Sequence, residues 1–313
     1  MIPLIVIVGP TAVGKTSISI QLAEQCNGEI VSADSRLFYR GMDIGTAKPT
    51  HDELDRVPHH LVDVAEPDQV WNLALFKRSA EMAIDNIYHR GKVSFLVGGT
   101  GQYIRALIEG WEIPEVVPDL QLRSALEAWA KVVGEIGLHQ RLSVLDPEAA
   151  TRIDPRNLRR TIRALEVILL TGRLFSSQRK HSPPHYRALV LGLMRPRTEL
   201  YARVDKRIQE MLDNGFIGEV ERLLDRGYSP DIPAFSAIGY CQIIEYLQGK
   251  CTMEEAVSEM KRITRQFIRR QANWFKLDDP SIQWFRVDTS TLKQMKTVIS
   301  DFIQKNTKIN LTY

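Results

Sequence analysis

Cysteine is scarce: Cys26, Cys241 and Cys251 are the only three in 313 residues, and no two of them form a Cys-x-x-Cys pair. A disulfide framework and a zinc module of that kind are excluded, and an odd, sparse set suits a reducing cytoplasm, the expected location. Long apolar runs are also missing. No stretch approaches the roughly 20 apolar residues that a membrane-spanning helix needs, so neither membrane insertion nor a membrane partner is expected. The opening run Pro3-Leu4-Ile5-Val6-Ile7-Val8 has no basic segment ahead of it and leads directly into a glycine loop, which makes it a first strand rather than a leader. Neither sign of charge dominates. The formal net charge is only +3, too small to indicate nucleic acid by itself. Internal repeats and low-complexity tracts are absent. With 44% hydrophobic and 25% charged residues, the chain is globular and long enough for one large core or a core with a smaller domain. Adjacent His59 and His60 cannot both face one metal ion without distant help and are expected to be loop or core histidines.

What is present begins at Gly9-Pro10-Thr11-Ala12-Val13-Gly14-Lys15-Thr16. The two glycines followed by Lys and Thr fit the phosphate-binding loop pattern, and the flanks supply the context that the pattern requires. A β-branched strand precedes the loop. Ile18, Ile20, Leu22 and Ala23 follow it in a stretch of helical character. In that setting loop N–H groups and the positive end of the helix converge on phosphate oxygens, Lys15 adds a point charge, and the Thr16 hydroxyl can reach Mg²⁺. The loop alone says that phosphates bind; it does not separate ATP from another phosphorylated ligand.

Glu29 to Ala33 is a second strand, and it delivers Asp34 to its C-terminal end, the edge at which open α/β sheets bind ligands. Ser35 to Tyr39 suit one helical turn, and Gly41 to Pro49 a loop. His60 to Val64 suit a short strand. From Asn72 to about His89 apolar residues recur at helical spacing. Val93 to Val97 form a third strand. It ends in Gly98-Gly99-Thr100-Gly101, where a typical ATPase would carry a Mg²⁺-holding Asp, and a helix follows to about Ile108. Asp34 is therefore the best-placed strand-end acid, and ATP hydrolysis is disfavoured. Trp111 to Asp119, with Pro114 and Pro118, suit a linker, and residues 119–177 are almost wholly helical. Asp154-Pro155 suit a helix start and Gly172 a helix stop. Ala188 to Leu193 return to a strand, residues 198–227 to a helix or helix pair, Gln283 to Asp288 to a last strand, and Thr291 to Lys305 to a terminal helix. The predicted fold class is α/β: a P-loop NTPase-like parallel sheet core flanked by helices, with a helical insertion domain. Residues 1–116 form the first part of the core, 117–185 the insertion, and 186–313 the second part with a basic helix.

That basic helix starts near Met253. Between Met260 and Leu277 the chain carries Lys261, Arg262, Arg265, Arg269, Arg270 and Lys276 with no acidic residue. A helical wheel puts Lys261, Arg262, Arg265, Arg269 and Lys276 on one side and Met260, Ile263, Phe267 and Trp274 on the other. A second cluster, Arg152, Arg156, Arg159, Arg160 and Arg163, lies opposite Leu158, Ile162, Leu165 and Leu169. One basic face is usually only solvated; two of them point to a polyanionic partner.

Four blocks together resemble the bacterial tRNA dimethylallyltransferase family: Gly9 to Thr16, Asp34-Ser35 through Lys48-Pro49, Gly98-Gly99-Thr100, and Arg163 to Val167 with Thr171-Gly172. Their order and spacing span most of the chain. The resemblance implies transfer of the dimethylallyl group of dimethylallyl diphosphate to the exocyclic N6 amine of the adenine 3′ to the anticodon, with diphosphate released. It places Thr11, Ala12, Val13, Gly14, Lys15 and Thr16 on the diphosphate; the loop pattern adds Gly9 and Pro10 to the same nucleotide- or diphosphate-binding set and puts Thr16 on Mg²⁺, and Asp34, Lys15 and Thr100 are assigned to catalysis. It puts Asp34, Ser35, Arg36, Leu37, Thr100, Arg123, Arg159, Arg160, Thr161, Ile162 and Arg163 on the tRNA anticodon stem-loop. We extend that surface to Lys261, Arg265 and Arg269. A monomer is compatible with so extended a contact.

The sequence departs from the family at Ser236, where Gln or Arg is common, and at Cys241, where Lys or Arg is common, around the retained Gly239-Tyr240. Two further enzymes share the loop: one that prenylates free adenylate, and a small-molecule kinase. A nucleic-acid-binding module that senses nucleotide shares it as well. The helical insertion and the arginine faces favour tRNA over adenylate, and the missing acid after Val97 disfavours the last two.

Overall fold

The computed structural model describes residues 1–113, 116–178 and 182–307, so Pro114 of the expected linker lies outside the described residues. In chain order, β1 (Ile2–Val8), α1 (Lys15–Gln25), β2 (Gly28–Ser32), α2 (His51–Arg56), β3 (His59–His60), α3 (Leu73–His89), β4 (Val93–Val97) and α4 (Gly101–Ile108) come first. Three helices follow: α5 (Leu120–Leu145), α6 (Pro147–Arg152) and α7 (Leu158–Thr171). The remainder is β5 (Tyr186–Met194), α8 (Arg197–Asp213), α9 (Phe216–Asp225), α10 (Tyr240–Leu247), α11 (Met253–Ala272), β6 (Ile282–Arg286) and α12 (Thr291–Thr307). Two compact units result: Met1–Ile108 with Pro184–Tyr313, and Glu109–Pro183.

The first unit is built on a six-stranded sheet in the order β3-β2-β4-β1-β5-β6, with every pairing parallel. Central β1 is buried continuously from Leu4 to Val8, as a strand covered on both faces must be. Its side chains alternate between two cores. Ile5 and Ile7 pack with Ile18, Ile20 and Leu22 of α1 and with Val204 and Ile208 of α8. Leu4, Val6 and Val8 pack with Phe76, Ala80 and Ile84 of α3 and with Ile104 of α4. Because β5 pairs with β1 along its whole length, the late strand closes the same sheet that β1 opened. The ends of β1, β2 and β4 share one edge, from which Gly9, Asp34 and Gly98 emerge.

In the second unit α5 is broken at Gly134, whose φ of 77° and ψ of 163° interrupt the helix. Leu126, Ala130, Leu138 and Leu142 of α5 close a core with Ile162 and Leu165 of α7.

Several local expectations are corrected. The His60–Val64 strand is only two residues long, because Leu61 and Asp63 adopt left-handed φ of 61° and 54° and end the pairing. Asp154-Pro155 does not start a helix: Asp154 closes a turn on the Arg156 amide, and α7 begins at Leu158 under an Asn157 cap. The Asp-Pro start occurs instead at Asp146-Pro147, where Asp146 accepts from the Ala149 N–H. Leu169 is exposed rather than opposite the arginines in the core. On α11 the buried stripe is Ala256, Met260, Ile268 and Gln271. Phe267 is exposed, and Trp274 and Lys276 fall beyond the helix, where a helical wheel no longer applies.

Away from the ligand edge, a single buried carboxylate ties strands together. Glu29 of β2 accepts from both Nη atoms of Arg90, from Lys92 Nζ at 2.8 Å, and lies 2.7 Å from His60 Nε2. The Arg90 hydrogen bonds hold its carboxyl far below the usual range against the opposing cost of burial, with Lys92 and His60 adding to the effect. A depressed carboxyl pKa contributes stability above the unfolded-state value and loses it as pH falls. Glu29→Gln should therefore lower unfolding free energy by about 1–3 kcal/mol at pH 7. In denaturant titrations over pH the deficit should shrink as the pH drops through the unfolded-state range near 4.

Candidate active site

The phosphate loop sorts its polar groups by sign. Its carbonyls are held by cations: Lys15 Nζ donates to Gly9 O at 3.0 Å and Pro10 O at 2.8 Å, Arg203 Nε to Ala12 O at 2.7 Å, and Arg195 Nε to Val13 O at 3.1 Å. The amides face the other way. The N–H groups of Ala12, Val13, Gly14, Lys15 and Thr16 donate to no described residue, which leaves an anion cradle at the N-terminus of α1. Gly9 is required at its position: its φ is 149°, and a Cβ there would stand 2.6 Å from the Leu193 carbonyl oxygen.

Lys15 is half-buried, and loss of solvent pushes its pKa down to about 8; Asp34 opposes the shift and Arg207 reinforces it. Arg207 is itself lowered by burial first and by Arg203 second. Lys15 and Arg203 thus touch the loop directly, while Arg207, one turn from Arg203 on α8, lies close enough for its charge to act on Lys15, with Asp34 as the acid that both Lys15 and Arg207 sense.

Asp34 leaves β2 in an Asx turn, its Oδ1 accepting from the Arg36 N–H at 3.1 Å, while Oδ2 takes no hydrogen bond from a described residue. Thr100 joins the same edge: its Oγ1 accepts from the Ser35 N–H at 3.3 Å and its N–H donates to Ala33 O at 3.4 Å. Gly98 packs so tightly that a Cβ would come within 2.3 Å of Ala33 O, which accounts for glycine where other phosphate-loop proteins carry an acid. Lys15, Asp34 and Thr100, separated widely in sequence, therefore belong to one sheet edge. The Thr16 hydroxyl is exposed beside the cradle. Among the described residues no group of three or more His, Cys, Asp or Glu could hold a metal ion.

The basic residues divide into paired and unpaired. In the first unit Arg265 reaches both carboxylate oxygens of Asp205, at 3.0 and 2.8 Å, and lies 5.2 Å from the Tyr201 ring centre. Arg262 is bound to Glu259. Arg269 is exposed, and neither it nor Lys261 forms an ion pair with a described residue. In the second unit Arg123 forks onto buried Glu166 at 2.8 and 2.9 Å, and Arg163 joins the same carboxylate at 2.6 Å. Thr161 and Ile162 are buried, which leaves Arg159 and Arg160 as its exposed arginines on α7, neither in an ion pair with a described residue. The two faces thus carry acidic partners that a helical wheel does not reveal. At the departure Ser236, the hydroxyl accepts from Arg36 at 3.4 Å, so Arg36 places a guanidinium there. Cys241 is half-buried and its thiol is pushed up by burial, a neutral group where the family carries a cation.

Sequence reasoning missed Arg195, Arg203, Arg207 and Gln271. Arg203 and Arg207 could have been found as a cation pair four residues apart beside the apolar stripe Leu200, Val204 and Ile208. Gln271 could have been found as a polar residue on the apolar stripe of α11.

The parallel sheet with its amide cradle after β1 defines a phosphate-loop α/β protein. The family model described as IPP transferase matches residues 37–278, and one described as isopentenyl transferase matches residues 2–63. A tRNA dimethylallyltransferase of Roseiflexus sp. (strain RS-1) is 49% identical over 96% of this chain and 98% of its own. One from Herpetosiphon aurantiacus is 48% identical over 95% of each. The crystal structure of a full-length tRNA isopentenylpyrophosphate transferase from Bacillus halodurans superposes with a TM-score of 0.74 at 40% identity, over 99% of both chains. A eukaryotic dimethylallyltransferase crystallised acting on tRNA superposes with a TM-score of 0.81 at 28% identity, over 98% of this chain and 80% of that one. The chain belongs to the IPP transferase family, and its fold is P-loop NTPase-like.

A diphosphate in the cradle favours charged Lys15. Its affinity should be full below the Lys15 pKa of about 8 and fall above it, by up to about tenfold per pH unit. In calorimetric titrations with inorganic diphosphate, Lys15→Arg should lose that alkaline fall, because a guanidinium stays charged. Taking the difference between the two proteins cancels the ligand's own ionisation.

Proposed function

We propose that the chain is a tRNA dimethylallyltransferase, transferring the dimethylallyl group of dimethylallyl diphosphate to the N6 amine of the adenine 3′ to the anticodon. The observation that carries this reading is the meeting of an amide cradle, Asp34 and Thr100 at one sheet edge, with a Gly-Gly-Thr turn where a hydrolase would place an acid. An adenine amine is a poor nucleophile because its lone pair is delocalised into the ring. Transfer therefore needs stabilised charge on the leaving diphosphate, an acceptor for the amine proton, and a fixed base. The cradle amides, Lys15 and Arg207 are suited to the first. Asp34 is suited to the second, since its Asx turn fixes the carboxylate and leaves Oδ2 open. Thr100, anchored on Ser35, stands where it can orient the base.

Mg²⁺ is the ion that the donor set fits: an exposed Thr16 hydroxyl, diphosphate oxygens and water are hard oxygen ligands, and Mg²⁺ takes few protein ligands of its own. When bound it would neutralise charge on the departing diphosphate. The adenine must leave its stack to enter the site, and the RNA contacts we assign are Lys261 and Arg269 in the first unit, with Arg36 beside the acceptor edge, and, separately, Arg159 and Arg160 in the second. No helix among the described residues is long and apolar enough to cross a membrane, and we infer a cytoplasmic monomer.

The test is incubation with Mg²⁺, unmodified tRNA and dimethylallyl diphosphate, with arms that replace tRNA by adenylate or the diphosphate by ATP, read by mass spectrometry. A prenyl adduct on tRNA alone is expected; a phosphorylated product, or prenylation of adenylate only, would overturn the reading. Asp34→Ala should cut turnover by about 10²–10⁴-fold while tRNA affinity stays nearly intact, and an equal loss of binding would make Asp34 structural.

The charge surface has its own measurement. Arg159→Ala with Arg160→Ala should lower the slope of log affinity against log salt by about 0.7–0.9 per lost phosphate contact. Arg265→Ala, which breaks a pair with Asp205, should change that slope less and melting temperature more.

A further inference from the structure

Gln271 is 5% exposed at the end of α11, and its amide is shared between two loops. Its Oε1 accepts from the Thr11 N–H at 2.9 Å, and its Nε2 donates to Gly99 O at 3.2 Å. Thr11 belongs to the phosphate loop; Gly99 belongs to the turn that carries Thr100. The fit is tight enough to dictate sequence, since a Cβ on Gly99 would stand 2.3 Å from Nε2. From Gly99 the chain of contacts continues through Thr100 to the Ser35 N–H and Ala33 O, and so to Asp34. A carboxamide accepts on its oxygen and donates from its nitrogen, as this bridge requires; carboxylates only accept and ammonium groups only donate.

Thr11 N–H is also the first amide of the loop after Pro10, which has none. A protein group therefore occupies the N–H next to the cradle, and the same group anchors the acceptor side. Any shift of the phosphate loop as it closes on an anion pulls on Gln271, and any shift of the Thr100 turn does likewise.

We propose that Gln271 is a positioning residue that couples the two half-sites, so that occupancy of the diphosphate cradle and seating of the RNA acceptor change each other's affinity through its amide. The inference rests on the tRNA acceptor reading above. Coupling of this kind is reciprocal: the factor by which RNA changes diphosphate affinity equals the factor by which diphosphate changes RNA affinity.

The experiment measures binding of inorganic diphosphate with Mg²⁺, alone and with saturating unmodified anticodon stem-loop RNA, and then RNA binding with and without diphosphate. The wild-type protein should show one factor in both directions, of about fivefold or more. Gln271→Met keeps the length of the side chain without its polar atoms and should bring the factor to about 1 while each separate affinity persists. Gln271→Glu keeps an acceptor for Thr11 but sets an oxygen against Gly99 O, and should lose the factor as well. Gly99→Ala, which displaces the amide, provides a third route should Gln271→Met fail to fold. A purely structural role would lower the melting temperature and leave the factor intact, and a folded variant with the wild-type factor overturns the assignment. So does a wild-type factor of 1 when prenyl transfer to tRNA proceeds. Absence of transfer in the wild-type protein overturns the acceptor reading instead.

Discussion

A phosphate loop works only if its backbone dipoles point one way. In an unliganded loop nothing external enforces that direction, and each carbonyl turned inward would cancel an amide. Here the carbonyls of Gly9, Pro10, Ala12 and Val13 are drawn back by Lys15, Arg203 and Arg195. The amides from Ala12 to Thr16 donate to no described residue and are left to an anion. The same cations raise the local positive potential, so a single set of contacts both orients the cradle and charges it. Burial lowers the Lys15 pKa only to about 8, which leaves the ammonium charged at neutral pH. The order β4-β1-β5 fixes this geometry, because it brings α8, which follows β5, beside the loop that follows β1.

Much of the core was legible because local pattern and tertiary environment agree there. Strand, loop and helix around Gly9, the strand ending at Asp34, and the return of the chain at Tyr186–Met194 are each carried by contiguous residues of one character. The errors lie where one residue answers to a distant one. Leu61, Val62 and Val64 make the run from His60 to Val64 apolar enough to suggest a strand, but the left-handed backbone of Leu61 and Asp63 serves a loop in which Lys48 Nζ donates to Tyr39 O at 2.9 Å and pairs with Asp63. The wheel of α11 failed in two places: it counted Phe267, exposed within the helix, as core, and it was extended through Trp274, past the end of the helix at Ala272. Gln271 falls on the apolar side of that wheel, beside Met260, and was passed over because it is polar. Arg195, Arg203 and Arg207 carry no motif; their role follows from where β5 joins the sheet. The roles of Asp34 and Thr100 came from resemblance, and the geometry adds the hydrogen bond from Ser35 that joins them.

Counting arginines also overstates the charge available to a polyanion. Glu166 is fully buried and holds Arg123 and Arg163 together with the Asp119 N–H, so two guanidinium groups are spent on one carboxylate inside the second unit. Asp205 and Glu259 hold Arg265 and Arg262 in the same manner. A paired arginine neutralises a phosphate only by giving up its partner, and burial makes that costly for Glu166. Unpaired arginines have no such partner to lose. On α11 this division has a mechanical consequence. Arg269 faces solvent while Gln271, two residues on and about 200° around the helix, faces the two loops. A polyanion seated on Arg269 thus loads the same rigid rod whose other face holds Thr11 and Gly99, and the position of that rod is set in turn by the Arg265–Asp205 pair and by Ile268 in the core.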